Sequence, residues 1–203
     1  MRNDFSVRAG LAGQKPMRAV PSDNAALTQQ PESAYFSELC RAMEMLSQHP
    51  RSVFMGQAVA YPGTAMFGTL RNVGHSRRVE WPVCEDMQLG AAIGASLNGD
   101  LPICIYPRIN FLLCAMPQLV LHLDAIPRYS TYRPKVIIRT AIATDKPLDP
   151  GPQHVGDFTD MFLSALKTVV VVNLDNAHDI VPQYQAALDR DGSTLLIEQL
   201  ANY

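Results

Sequence analysis

The chain has 203 residues, 47% of them hydrophobic and 18% charged, which is the composition of a globular protein with a core of its own. Its formal net charge is −2, and without a basic stripe nucleic acid and anionic membranes are poor candidate partners. The four cysteines form no CxxC pair and no histidine stands at metal-ligand spacing, so we expect buried, reduced thiols in a cytoplasmic protein without a metal site of its own.

The first 31 residues differ from the rest of the chain. Residues 1–31 are polar, rich in Pro and Ala, and lack the apolar run of a signal peptide, so we expect a flexible N-terminal arm. Residues 32–203 are expected to form one domain. It begins with a helix over residues 35–48, where apolar side chains recur at helical spacing, followed by a strand at 52–55 and a Gly-rich surface loop at 61–76.

A helix is predicted to begin at Glu85, and Asn98-Gly99-Asp100 is predicted to end it. Gly90 and Gly94 lie inside this helix. Each costs roughly 1 kcal/mol relative to alanine, which indicates close approach of another backbone or of a cofactor. A short apolar strand is predicted to follow at residues 101–106.

Glu85 follows Val83 and Cys84 and precedes this apolar helix, so we expect its carboxyl group to be partly buried. A carboxyl group moved out of water holds its proton more tightly, which suits proton transfer. The alternative, which spacing alone favours, is a solvated first-turn acid, because the free amide groups of the first turn attract negative charge.

An apolar stretch at residues 103–123 is long enough to suggest a membrane span. Pro107, Arg108, Asn110 and Pro117 interrupt it. We therefore predict the end of a strand, a loop, and a helix over about residues 110–126 with a kink at the second proline.

The last third of the chain alternates strands and helices, which predicts a parallel, doubly wound α/β sheet with helices on both faces. A long loop at residues 141–156 interrupts this alternation, and loops of that length are usually functional. The predicted strands are residues 135–139, 168–173 and 194–198, and the predicted helices are residues 158–166 and 177–188, the latter capped by Asp175-Asn176.

Residues 81–111, WPVCEDMQLGAAIGASLNGDLPICIYPRINF, resemble the pyrimidine-binding domain of thiamine-diphosphate enzymes, and among these the beta chain of the 2-oxo acid (pyruvate and branched-chain) dehydrogenases. That family has the pattern P-I-S-E-x-G-x-x-G-x-A-x-G-x-A-x-x-G, then a P-I-x-E strand, then N-F. The matching residues are Pro82-Val83-Cys84-Glu85, Gly90, Gly94, Gly99, Pro102-Ile103 and Asn110-Phe111.

Two further segments add to the resemblance, which extends over about residues 35–203. Gly151-Pro152-Gln153-His154 resembles the Q-H turn of the family, and its G-P-x-H form is similar to that of transketolases. Residues 175–198 resemble the last helix and strand of the family, including the acidic Glu198.

The resemblance implies roles for five residues. Glu85 matches the catalytic glutamate that hydrogen-bonds N1′ of the cofactor's aminopyrimidine ring, and His154 matches a histidine that handles protons on the substrate side. Phe111 matches the aromatic residue that packs on the ring, and Val83 and Pro107 match residues that line it. By position alone, Phe111 would be a core residue and His154 simply exposed.

Cys84, next to Glu85, has no nearby histidine in the sequence to activate it as a nucleophile. We therefore expect a packed thiol at this position.

Several positions depart from the family pattern. Gln57 and Ala58 stand where acidic residues usually follow the first strand, Ile105 replaces an acid, and Val155 replaces a small polar residue. A proton relay or partner contact made by those acids is therefore not expected here.

The beta chain of the family also continues into a C-terminal domain that this sequence lacks, which favours a stand-alone decarboxylase or carboligase over lipoyl transfer.

The family holds the diphosphate of thiamine diphosphate, with Mg²⁺, through a G-D-G…N motif in a second domain. The sequence has no G-D-G, so the resemblance implies an alpha-type partner subunit that supplies this site, in an α2β2 heterotetramer. The expected function is decarboxylation of a 2-oxo acid with transfer of the acyl or ketol group to an acceptor. The alternatives are transketolase-like ketol transfer and a non-catalytic structural subunit.

Overall fold

The fold is described by a computed structural model that covers residues 32–144 and 150–203. The predicted arm at residues 1–31 and the middle of the predicted long loop, residues 145–149, lie outside the described residues.

A six-stranded sheet, with every strand pair parallel, forms the centre of residues 32–203. Its strand order is β2-β1-β3-β4-β6-β5. This confirms the predicted parallel, doubly wound α/β fold. The strands are β1 (Ser52–Gly56), β2 (Arg78–Glu80), β3 (Leu101–Tyr106), β4 (Ile137–Ile142), β5 (Val170–Leu174) and β6 (Thr194–Gln199).

Helices cover both faces of the sheet and enclose two apolar cores. One core packs α1 and α7 against the sheet, and the other packs α3, α6 and the helical segments after β3. All six residues of β3 are buried, as expected for a central parallel strand. The helices are α1 (Ala34–Ser47), α2 (Ala65–Gly68), α3 (Glu85–Leu97), α4 (Ile109–Leu112), α5 (Ile126–Tyr129), α6 (Thr159–Ala165) and α7 (Ala177–Asp189).

The edges of the sheet differ most from the sequence prediction. The edge strand β2 was not predicted, because two of its three residues are charged and it has no apolar pattern. The valine-rich β5 is the other edge strand, and its valines are only half-buried. The predicted loop at residues 61–76 contains the short helix α2.

The single kinked helix predicted over residues 110–126 is broken into shorter pieces. After α4, the chain forms a 3₁₀ turn at Leu113–Ala115 and a π-helical segment at Pro117–Leu123. The helical segments before and after the break meet at 59°. Pro117 stands at the break, as predicted, because proline cannot continue the hydrogen bonding of the preceding turn.

Among the described residues, no single helix is long and apolar enough to span a membrane, although the bent pair Ile109–Ala115 and Pro117–Tyr129 together meets the length and composition that a span requires.

The cysteines are only partly as predicted. Cys40 and Cys104 are buried free thiols, and burial raises the pKa of the Cys104 thiol to about 11. The prediction was wrong for Cys84 and Cys114, which are exposed. Cys84 ends an irregular segment before α3, and Cys114 lies in the 3₁₀ turn that follows α4, so neither packs into the core.

Candidate functional site

A cavity of about 640 Å³ opens at the carboxyl edge of the sheet. Its wall is formed by residues that follow β1, β3, β4 and β6, so four parallel strands deliver their ends to one place, where ligands of open α/β sheets usually bind. The described wall residues are Gln57, Ala58, Gly63, Thr64, Ala65, Pro107, Arg108, Phe111, Ala143, Thr144, Pro150, Leu200 and Tyr203.

Glu85 is the first residue of α3 and is half-buried, which confirms the partial burial predicted for it. The helix start is fixed to the adjacent strand β3. The Tyr106 hydroxyl donates to the backbone carbonyl of Glu85 at 3.1 Å, and the buried Gln88 amide donates to the Ile105 carbonyl at 3.1 Å. The carboxyl group is thus held at one position relative to the strand ends.

Glu85 is not itself among the described wall residues, and Gln57 connects it to the cavity. Its Nε2 donates to Oε1 of Glu85 at 3.0 Å, and its side chain forms part of the cavity wall. Oε2 of Glu85 has no hydrogen-bond partner within residues 32–144 and 150–203. The carboxylate therefore has one oxygen held by the protein and one available to a ligand.

The loop that carries Gln57 is held by Glu80, the last residue of β2. Its carboxylate accepts hydrogen bonds from the backbone N–H groups of Ala58 (2.7 Å), Val59 (3.0 Å) and Ala60 (2.8 Å). Ala58 has a φ of 53°, a left-handed conformation that costs a non-glycine residue about 1–2 kcal/mol. Three hydrogen bonds to a carboxylate offset this cost and fix the position of Gln57.

Phe111 and Pro107, to which the resemblance assigns contacts with the cofactor ring, both lie on the cavity wall. Phe111 is half-buried, so it is not an ordinary core residue. The His154 ring contacts Phe111 edge-on, with 5.5 Å between ring centres and an angle of 67°. Asn110 holds the His154 loop by donating to the Gln153 carbonyl at 3.0 Å.

His154 is close to the cavity but not on its described wall. Its Nδ1 is buried and has no hydrogen-bond partner among the described residues. A buried ring nitrogen without a partner can accept or donate a proton to a bound molecule.

Val83 is not brought to this wall in the described chain. Its side chain is 81% exposed, and it precedes an exposed face of α3 that includes Met87 and Gly94. A Cβ built on Gly94 would meet nothing within 4 Å. Gly90, by contrast, lies against the Gln118 side chain.

A buried ion pair lies beneath the cavity. Arg139 on β4 and Glu198 on β6 both have fully buried side chains, with Nη2 and Oε2 3.0 Å apart. The hydroxyls of Tyr184 and Tyr203 donate to the same carboxylate. Burial, together with the negative charge of Glu198, raises the pKa of both tyrosines well above its usual range, so both remain neutral donors.

The observed donor set fits an aminopyrimidine ring. Glu85 offers an open carboxylate oxygen, Gln57 links it to the cavity, and Phe111 and Pro107 supply an apolar surface there. Within the described ranges, no group of three or more His, Cys, Asp or Glu side chains could hold a metal ion.

Sequence reasoning did not find the contacts of Gln57, Glu80 and Arg139. Gln57 was noted only as a departure from a family pattern, although its place directly after β1 was a usable signal. Because β1 and β3 are neighbours, a residue after β1 lies next to the helix that precedes β3.

Comparison with known proteins places these observations in a family. The family model for the transketolase pyrimidine-binding domain matches residues 37–203. A mitochondrial pyruvate dehydrogenase E1 component subunit beta from Ascaris suum is 26% identical over 160 residues, which are 76% of this chain and 44% of that protein. The corresponding subunit from Chaetomium thermophilum is 32% identical over 80 residues, which are 38% of this chain and 21% of that protein.

Among solved structures, one described as a split gene transketolase, inactive beta4 tetramer, matches with a TM-score of 0.63 and 16% identity. The match covers 83% of this chain and 51% of that one. At this identity it supports the fold alone.

The matched part of the chain spans less than half the length of each of the two curated relatives.

Proposed function

Because the chain belongs to the transketolase pyrimidine-binding domain family, we propose that it holds the aminopyrimidine end of thiamine diphosphate as the beta-type subunit of a two-component enzyme. The observation that carries the proposal is the half-buried Glu85 carboxylate, with Oε1 fixed by Gln57 and Oε2 open. The enzyme would decarboxylate a 2-oxo acid and transfer the acyl or ketol group to an acceptor.

Each residue of the site has a distinct task. Glu85 holds a proton shared with a ring nitrogen of the cofactor, and Gln57 keeps the carboxylate oriented for that contact. Phe111 packs on the ring and Pro107 lines it. Val83, which is exposed in this chain, contacts the ring only when the partner subunit covers Val83. His154 moves protons to and from the substrate. Once bound, thiamine diphosphate supplies the electron sink that makes loss of CO₂ feasible.

A partner subunit completes this proposal. The sequence has no G-D-G, so the diphosphate and Mg²⁺ would be held by an alpha-type chain with a G-D-G…N motif, in an α2β2 heterotetramer. The exposed face of α3 supports such an assembly, because Val83 and Met87 present apolar surface and Gly94 leaves room for a close neighbour. Pyruvate dehydrogenase beta subunits are among the chain's relatives.

The G-P-Q-H segment at residues 151–154 keeps transketolase-like ketol transfer as a second candidate reaction. A structural subunit without chemistry is the third candidate, and one substitution separates it from the other two.

We expect Glu85→Gln to lower the turnover of the complex about 10²–10⁴-fold, because the neutral amide cannot exchange a proton with the cofactor. The measurement is steady-state decarboxylation by the complex reconstituted with the partner chain, with assembly checked by size-exclusion chromatography. Glu44→Gln, on an exposed position of α1, is the matched control and should leave turnover unchanged. Full turnover in an assembled Glu85→Gln complex would favour the structural subunit.

A further inference from the structure

Arg108 is the only charged side chain on the described wall of the cavity. It is half-exposed, and among the described residues it has no ion-pair partner and no hydrogen-bond partner. Its guanidinium carbon lies 6.0 Å from the centre of the Phe111 ring. A positive charge that faces an apolar ring surface, with no Asp or Glu side chain on the described wall to neutralise it, favours a bound anion.

The surroundings of Arg108 hold it in place for such a contact. Pro107 and Ile109, on either side of it, are buried, so the backbone is fixed while the side chain reaches the cavity. On the wall of the same cavity, Thr64 Oγ1 is buried and has no hydrogen-bond partner among the described residues. A guanidinium and a hydroxyl group are both suitable donors to the oxygens of a carboxylate or a phosphate.

We propose that Arg108, assisted by Thr64, binds a second anionic group of the substrate, one that does not react. This inference rests on the proposed function, because it places the substrate beside the ring that Phe111 would hold. The group is a carboxylate or a phosphate at the far end of the molecule, since the planar guanidinium matches either one in a two-point contact.

The reacting carboxylate is a poor partner for Arg108. It leaves as neutral CO₂, so its negative charge fades as the reaction proceeds. A cation that bound it would stabilise the substrate more than the transition state and would slow the step. An anionic group that keeps its charge throughout the reaction is bound equally well at every stage, so it can set substrate specificity without this penalty.

Direct binding to the full-length chain, without partner or cofactor, tests the inference. The three probes are pyruvate, with one anionic group, 2-oxoglutarate, with a second carboxylate, and phosphoglycolate, with a phosphate. Ligand-detected NMR at low salt gives a dissociation constant for each. We expect one of the two larger probes to bind at least about tenfold tighter than pyruvate, as a charge-assisted two-point contact would give. The tighter of the two identifies the group as a carboxylate or a phosphate.

Arg108→Met should remove this preference, so that the larger probes bind about as weakly as pyruvate. Arg108→Lys should restore only part of the preference, because lysine keeps the charge but not the planar group that makes a two-point contact. Arg128→Met is the matched control, since Arg128 is exposed on α5 and away from the cavity wall. Thermal unfolding of each variant checks that it is folded. The inference is overturned if the folded Arg108→Met chain binds all probes as the wild type does, or if the wild type prefers neither larger probe.

The two proposals fail separately. Arg108-dependent binding together with full turnover of the Glu85→Gln complex would retain the anion site and reject the cofactor role. The reverse result would retain the cofactor role and reject Arg108 as a specificity residue.

Discussion

Arg139 and Glu198 join the core of the protein to the wall of its cavity. Both side chains are fully buried, and the Glu198 carboxylate also accepts hydrogen bonds from Tyr184 on α7 and from Tyr203 on the cavity wall. Removing two charges from water is costly, and only close pairing with further hydrogen bonds offsets that cost. The ion pair therefore couples the position of Tyr203, on the cavity wall, to strands β4 and β6.

We expect Arg139→Met to lower the free energy of unfolding by about 3–5 kcal/mol, because it leaves the buried Glu198 carboxylate without a counter-charge. The double variant Arg139→Met/Glu198→Gln should be more stable than this single variant, because it leaves no buried charge and the amide oxygen still accepts from one of the two tyrosine hydroxyls. Urea unfolding followed by circular dichroism measures both. A single variant within about 1 kcal/mol of the wild type would mean that the pair contributes little, as exposed pairs do.

At the residue scale, the sequence foresaw positions within one motif but not contacts between distant segments. The resemblance suggests roles for Glu85 and Phe111 because both belong to the one motif that surrounds α3 and β3. The Gln57–Glu85 and Arg139–Glu198 contacts span 28 and 59 residues and depend on which strands are neighbours. Strand order is decided by the packing of the whole sheet, which local spacing does not encode. The cofactor roles of Glu85, Val83, Pro107, Phe111 and His154 stay predictions.

Two glycines show how differently one residue type is used in neighbouring elements. A Cβ added to Gly56, at the end of β1, would lie 2.3 Å from the backbone oxygen of Ile105 on β3. A Cβ added to Gly94, inside α3, would meet nothing within 4 Å. The first glycine permits two strands to approach each other, and the second has no such role within the described chain.

We expect opposite effects from the two alanine substitutions in the isolated chain. Gly94→Ala should stabilise it by about 0.5–1 kcal/mol, the difference in helix propensity. Gly56→Ala should destabilise it by about 3 kcal/mol, because the Ile105 backbone of the paired strand β3 cannot move aside. Chemical unfolding of the two variants side by side checks this, and equal effects of the same sign would contradict it.

Elements with strong local signals were predicted to within a few residues. The start of α3 at an acidic first turn and its end at Asn98-Gly99 are set by groups within one turn of the helix. The break at Pro117 follows from the missing N–H of proline. Strand β2 was missed because pairing with β1 and the anchoring of Glu80, rather than apolar side chains, hold it in the sheet.

At the scale of the whole molecule, the parallel crossovers bring the ends of β1, β3, β4 and β6 to one cavity. This follows from the alternation of strands and helices that was already visible in the sequence. The identity of the substrate does not follow from that alternation, because in our proposal it depends on the side chains of Arg108 and Thr64 and on the partner chain. The proposed division of labour is that this chain binds the aminopyrimidine ring and the partner binds the diphosphate.

Calorimetric titration of thiamine diphosphate with Mg²⁺ tests this division of labour most directly. The titration is made into the full-length chain, into the alpha-type partner, and into the reconstituted complex. We expect tight, Mg²⁺-dependent binding only in the complex, with the Glu85→Gln complex weaker. Tight, Mg²⁺-dependent binding to this chain alone, with no gain on adding the partner, would contradict the shared site.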